Sequence, residues 1–193
     1  GRDDEIRKFQ AALGSPPRAV PVEGANGVGK TSLVNVAIYR AMKRYLASDQ
    51  GALFVPALDP LQISDEIEVE GFLDTVYALV ARTLIQRATE IRGLGLDLPN
   101  TGPINEWLNS PLIGRLGGTL GGFGFQRSAE INETEGYVRG GFRAEVRGWL
   151  SAVFPAPNGG GVVCLIDNLE LLRTSARARQ IVEELRDPLF GIP

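Results

Sequence analysis

The sequence predicts an α/β domain in three layers, a parallel sheet with helices on both faces. Three observations carry that expectation. Gly24-Ala25-Asn26-Gly27-Val28-Gly29-Lys30-Thr31 matches the pattern G-x-x-x-x-G-K-[ST], and the match stands between a short apolar run and a helical pattern. Two further apolar runs follow down the chain, at 52–57 and 162–167, with helical periodicity between them. At 193 residues and 44% hydrophobic content the chain can bury one proper core, so residues 1–193 read as a single domain carrying a glycine-rich insertion at 93–131.

The segment from Gly1-Arg2-Asp3-Asp4-Glu5-Ile6 to about Leu13 reads as a helix with Ile6, Phe9 and Leu13 on one face. Ala19-Val20-Pro21-Val22-Glu23 reads as a first buried strand, with Pro21 confined to a position where the sheet needs no N–H. From Thr31 to Ser48, Leu33, Val34, Ala37, Ile38, Ala41, Met42 and Tyr45 recur at helical spacing. A second strand is expected at 52–57. A long helix is expected from Asp65 to about Arg92, with Ile67, Phe72, Val76, Leu79, Val80, Leu84 and Ile91 inward and Gly93 as its cap.

Between 93 and 131 the periodicity gives way to dense glycine, and Thr119-Leu120-Gly121-Gly122-Phe123-Gly124-Phe125 alternates like a hairpin edge. Trp107, Phe123 and Phe125 pack on the parent domain or form an adhesive patch. Asn132-Glu133-Thr134-Glu135 resembles a capping box that opens a helix to about Phe154, with Phe142, Val146, Trp149, Leu150 and Val153 inward. Arg139, Arg143 and Arg147 line up on that helix, as a solvated face or as contacts to phosphates or to a neighbouring subunit's nucleotide. Pro157-Asn158-Gly159-Gly160-Gly161 reads as a turn, Val162-Val163-Cys164-Leu165-Ile166-Asp167 as a third strand, and a last helix follows Ser175 with Ile181, Val182 and Leu185 inward.

The order strand, glycine loop, helix gives the loop its chemistry. Glycines at 24, 27 and 29 let the backbone adopt positive φ and turn successive N–H groups inward, while the new helix directs its positive end at the same point. Such a cradle takes phosphate with no side chain involved. Lys30 reaches the β- and γ-phosphates, the Thr31 hydroxyl is placed to ligate Mg²⁺ beside them, and Ser32 is the last of the nucleotide-binding run 24–32. A second motif must deliver a carboxylate to the magnesium, and Asp167 ends its apolar run where this role requires it. Asn168 follows it, a side chain that hydrogen-bonds a water but cannot take its proton. Glu170 either replaces that base, if the loop folds back, or is a solvated helix residue. Nucleotide binding is therefore better supported than hydrolysis.

Composition narrows the alternatives. A net charge of −3 gives no global attraction to nucleic acid or anionic membrane, so any nucleic-acid contact would be local. With no histidine and one cysteine, Cys164, the chain offers no zinc cluster and no internal disulfide. Cys164 reads as a small buried hydrophobe. No signal peptide or membrane-spanning run is evident, and the expectation is a cytoplasmic soluble protein. The opening at Gly1 and the close at Ile192-Pro193 suggest a domain excised from a longer chain.

Gly1-Arg2-x-x-Glu5 upstream of G-A-N-G-V-G-K-T, with V-V-C-L-I-D-N-L-E further on, resembles the P-loop NTPases of the AAA+-like STAND and origin-recognition type. The resemblance implies a module binding ATP (or ADP) with Mg²⁺, with Arg2 and Glu5 near the adenine side. No N-K-x-D guanine-reading motif follows the second strand. It implies a sheet order 5-1-4-3-2, a fourth strand ending in a polar sensor, a lid domain and an arginine finger, which further domains or a homo-oligomer would supply. The leading expectation is an assembly or signalling switch with slow hydrolysis, in keeping with Asn168. The alternatives are a DNA-acting loader or motor, and a binding module whose nucleotide is structural. A small-molecule kinase finds no evident acceptor site or lid in the sequence.

Overall fold

A computed structural model describes residues 2–14, 20–22, 27–48, 52–62, 69–94, 96, 98–99, 133–154, 160–167, 176, 179–180 and 183–184. The chain divides into two compact units, Gly1–Pro56 with Phe154–Val163, and Ala57–Val153 with Cys164–Pro193. The described residues are mixed helix and strand, and their strands form two parallel pairs, compatible with an α/β fold.

The first unit is built on two helices and a strand pair. Helix α1 (Asp3–Leu13) buries Ile6 and Phe9, and its three acidic residues, Asp3, Asp4 and Glu5, fall in the first turn where the helix dipole favours negative charge. Helix α2 (Lys30–Ser48) buries Val34, Ala37 and Ile38. Fully burying an aliphatic side chain contributes about 1.5–3 kcal/mol, so the short face that packs against strand β1 (Leu53–Pro56) holds the helix firmly. Along β1, Leu53 and Val55 are buried and alternate with half-buried Phe54 and Pro56, as a strand with one face on a core requires. Gln10 Nε2 donates to the Ala37 carbonyl at 2.6 Å, and Arg40 Nη1 donates to Asp3 Oδ1 at 2.6 Å, tying α1 onto α2. The Arg40 guanidinium holds the Asp3 carboxyl below its usual range. This exposed pair therefore stabilises the fold above that range and lets go as pH falls through the lowered value.

Strand β3 (Gly160–Val163) pairs in parallel with β1, Leu53 opposite Gly160 through Pro56 opposite Val163. Gly160 and Gly161, expected in a turn, open this strand at φ 107° and 153°. A β-carbon on Gly160 would stand 2.3 Å from the Leu53 carbonyl oxygen, so only glycine permits the approach. Val20, Pro21 and Val22 form no strand, a departure from the expectation that follows from the missing Pro21 N–H.

The second unit centres on helix α3 (Val69–Gln86), where residues 72–81 are all buried. A helix apolar on every side belongs inside a fold. Its buried hydroxyls are satisfied locally: Thr75 Oγ1 donates to Gly71 O at 2.9 Å and Thr83 Oγ1 to Leu79 O at 2.7 Å. The Thr83 oxygen also accepts the Leu58 N–H at 3.3 Å. The single helix expected to Arg92 is interrupted by a turn at Arg87 and continues as α4 (Ala88–Gly93). The interruption lies at a residue with φ −95° and ψ 11°, outside the helical basin. Gly93 is the last helical residue, and Leu94 occupies the cap.

Helix α5 (Glu133–Val153) packs on α3 through Phe142, Val146, Trp149, Leu150 and Val153, the inward set the sequence predicts. Arg143 departs from the expected solvated or phosphate-facing row, while Arg147 is exposed as that row requires and the Arg139 side chain lies outside the described residues. Arg143 Nε donates to Asp74 Oδ1 at 2.8 Å, and its Nη2 lies 2.8 Å from Glu70 Oε2 and 3.0 Å from the Glu70 carbonyl. The Asp74 side chain is wholly buried. Arg147 Nε donates to the Tyr77 hydroxyl at 2.7 Å, and both guanidinium groups lie within 6 Å of the Tyr77 ring, at 5.9 and 5.8 Å. A buried aspartate on α3 is the physical reason: it must be paired, and α5 presents the cation.

The third expected strand, 162–167, is two strands. Pairing along β1 ends at Pro56, which has no N–H, and within the second unit Leu61 N–H donates to Leu165 O at 2.7 Å. From there β2 (Leu61–Gln62) and β4 (Ile166–Asp167) pair in parallel. The insertion beyond residue 99, including Trp107, Phe123 and Phe125, lies outside the described residues, as do Ile181, Val182 and Leu185. The described positions 176, 179–180 and 183–184 are helical.

Two substitutions check this packing. Arg143→Ala removes the guanidinium that pairs with buried Asp74 and is expected to cost about 3–5 kcal/mol in urea unfolding; a loss within 0.5 kcal/mol would show that the pair does not hold α5 to α3. Gly160→Ala is expected to cost about 1–3 kcal/mol, because both the positive φ and the Leu53 carbonyl oppose a side chain, and an unchanged denaturation midpoint would contradict that register.

Candidate functional site

The candidate site in the first unit begins where the backbone turns left-handed. Gly27 and Gly29 both have φ 80°, and α2 starts at the next residue, Lys30. A side chain would be strained at either glycine. The first intrahelical bond runs from Leu33 N to Gly29 O at 2.9 Å. The amides of Lys30, Thr31 and Ser32 thus precede the first residue whose N–H is used within the helix, the usual condition for an anion-accepting helix start. Lys30 is half-buried, whereas Val28, Thr31 and Ser32 are exposed. Gly24, Ala25 and Asn26 lie outside the described residues.

Arg2 reaches this loop from the start of α1. A β-carbon built on Gly29 would lie 3.7 Å from Arg2 Nη1. Glu5 Oε2 stands 3.6 Å from Arg2 Nε, an ion pair with both side chains in solvent that orients the guanidinium more than it stabilises the fold. Behind the loop a cavity of about 460 Å³ is lined by Arg2, Glu5, Lys8 and Phe9 of α1, by Val20, Pro21 and Val22, and by Val28, Lys30 and Leu33. That volume falls within the range of small-molecule sites. Its polar lining, three cations against one carboxylate, favours an anion, and its apolar lining offers a flat ligand group somewhere to pack. Lys8 and Phe9 were not anticipated from the sequence. Their signal is there, since 5, 8, 9 and 12 follow the helical repeat down one face of α1.

In the second unit, Asp167 is exposed and ends β4 opposite Gln62. Asn168 and Glu170, the other two residues of that motif, lie outside the described residues. No cluster of three or more histidine, cysteine, aspartate or glutamate side chains suited to a metal occurs among the described residues. A phosphate-bound magnesium draws only one or two ligands from the protein, so a full protein cage is not the pattern to expect there.

Cys164 stands two residues before the start of β4. The residue is half-buried, while burial of its thiol pushes the pKa up to about 12. The thiol is therefore protonated at neutral pH and is no nucleophile. Since the folded value lies above the unfolded 9.0, its contribution to stability is intact below about pH 9 and is lost as pH rises toward 12.

Against protein families, curated proteins and solved structures alike, the chain finds no match. No helix among the described residues is long and apolar enough to cross a membrane. The burial of the thiol gives a direct check. Iodoacetamide at pH 8 is expected to leave Cys164 unlabelled in the folded chain and to label it in urea; rapid labelling without denaturant would show an open, ionised thiol.

Proposed function

We propose that this chain is the nucleotide-binding part of a P-loop ATPase of the AAA+-like STAND or origin-recognition type, an assembly or signalling switch that binds ATP or ADP with Mg²⁺ and hydrolyses slowly. The observation that carries the reading is the run Gly27-Val28-Gly29-Lys30, two left-handed glycines delivering the chain into the first turn of α2. Backbone amides there face an incoming phosphate with the helix dipole behind them. Lys30 supplies the charge for the β- and γ-phosphates. The cavity beside it has the excess of cations that a triphosphate calls for and the apolar wall that a base needs.

Bound magnesium would neutralise phosphate charge, with the Thr31 hydroxyl as its ligand from the loop and Asp167 as the carboxylate that the sequence motif supplies for it. The role of Asp167 rests on that motif. Asn168 orients a water without accepting its proton, and Glu170 is the acid within reach along the sequence, so binding outlasts turnover in this reading. The resemblance finds support in the parallel pairing of β1 with β3, since the order 5-1-4-3-2 sets second and third strands side by side. The DNA-acting alternative loses one of its candidate contacts, because Arg143 is engaged by Asp74 and Glu70. Association of subunits on ATP, or contact with further domains, completes the proposed switch.

A fluorescent ATP analogue with magnesium tests the reading. Lys30→Ala is expected to weaken binding by roughly tenfold to a hundredfold, the effect of losing one hydrogen bond to a charged group. Undiminished affinity in that variant would remove the loop from nucleotide binding.

A further inference from the structure

We propose that the solvent face of α2 is a docking surface for an acidic amphipathic helix of a partner protein, independent of any nucleotide. Among the described residues the exposed large hydrophobic side chains are Val28, Val36, Tyr39 and Leu46, and three of the four share this one helix. Val36, Tyr39, Lys43 and Leu46 are spaced three, four and three residues apart, so they form a single seam. The seam lies on the side of α2 away from buried Val34, Ala37 and Ile38, at 41%, 51% and 49% exposure for its apolar members. An isolated exposed valine needs no explanation, whereas a seam at coiled-coil spacing on the solvent side is the form in which one helix presents itself to another.

Charge selects the partner. Along one edge of the seam, α1 and α2 enclose a groove of about 670 Å³ carrying four cations, Arg7, Arg40, Lys43 and Arg44, against two carboxylates, since Arg40 pairs with Asp3 in the lining and Arg7 with Asp4 beside it. Lys43 Nζ stands over the Tyr39 ring, 5.3 Å from its centre, and so joins the apolar seam to the cationic edge. A second copy of α2 lying antiparallel across a two-fold axis would bring Arg40, Lys43 and Arg44 against their own images, an arrangement that like-charge repulsion opposes. A nucleic-acid backbone is bound through cations and hydrogen-bond donors and has no use for the seam, and the chain as a whole carries a charge of −3. A helix with leucines toward the seam and glutamates toward the groove satisfies both features at once.

The test uses the full chain and two labelled helical peptides of four heptads, with leucine at the first and fourth positions and either glutamate or lysine at the flanking ones. Fluorescence anisotropy is expected to show the glutamate peptide binding about tenfold or more tighter than the lysine one, with the difference shrinking as salt is added. Lys43→Glu should erase that preference, and Tyr39→Ser with Leu46→Ser should abolish binding of the glutamate peptide. All three positions are exposed, so far-UV circular dichroism should be unchanged in both variants. Equal binding of the two peptides, or no binding of either, would overturn the proposal. So would sedimentation showing a dimer that Tyr39→Ser dissolves, or DNA-duplex binding that Lys43→Glu weakens and Tyr39→Ser leaves intact.

Discussion

The direction of α2 is the constraint on which the candidate site depends. Val34, Ala37 and Ile38 fix one face of the helix, β1 supplies Leu53 and Val55 for the packing, and α1 is tied across it at Gln10 and Asp3. With the helix axis fixed, its first turn has one place to be. Gly27 and Gly29 bring the backbone to that place in a conformation other residues enter only with strain. The placement of the two glycines and of the first turn is therefore a consequence of core packing several residues away. That separation explains how Thr31 and Ser32 can be exposed at the end of an anchored helix.

The second unit shows a different solution to the same problem of ordering a helix. Where α2 has one buried face, α3 is enclosed on all sides and carries Asp74 into the interior. A charge in that position must find a partner with well-aligned hydrogen bonds, and the planar fork of Arg143 meets Asp74 and Glu70 together. Replacing such a pair by apolar residues often leaves stability unchanged or raises it, so its contribution lies in fixing which face of α5 meets α3. Tyr77 extends the arrangement, accepting from Arg147 at its hydroxyl and facing both guanidinium groups with its ring. Trp149, fully buried, keeps an indole N–H with no acceptor among the described residues, which indicates that apolar packing decides its place.

Helical periodicity made most of this legible in the sequence. The spacing of Val34, Ala37 and Ile38 and that of Phe142, Val146, Trp149 and Val153 identified the inward faces correctly, because both helices bury one stripe. Strands were harder, since their pairing depends on residues far away. Nothing local to Gly160 says that Leu53 lies opposite it, and glycine there reads as a turn until the close approach is seen. Proline had the opposite effect at Pro21, where an apolar run outweighed the missing N–H in the sequence reading. Asp74 left a trace that went unused: a carboxylate inside an otherwise apolar stretch of helix implies a cation elsewhere, and the arginines of α5 were the available supply. At the candidate site, the glycine pattern marked the left-handed positions Gly27 and Gly29, whereas Lys8 and Phe9 became visible once α1 was placed beside them.

In the proposed reading, nucleotide is held by backbone amides at the start of α2 together with the cationic cavity of the first unit. Backbone amide resonances followed during titration with magnesium ATP address that claim directly. Large shifts at Gly27 through Ser32 and at Arg2, Lys8 and Phe9 that saturate together, and that need roughly tenfold or more nucleotide in Lys30→Ala, are the expected result. Saturable shifts that leave Gly27 through Ser32 unmoved would contradict it.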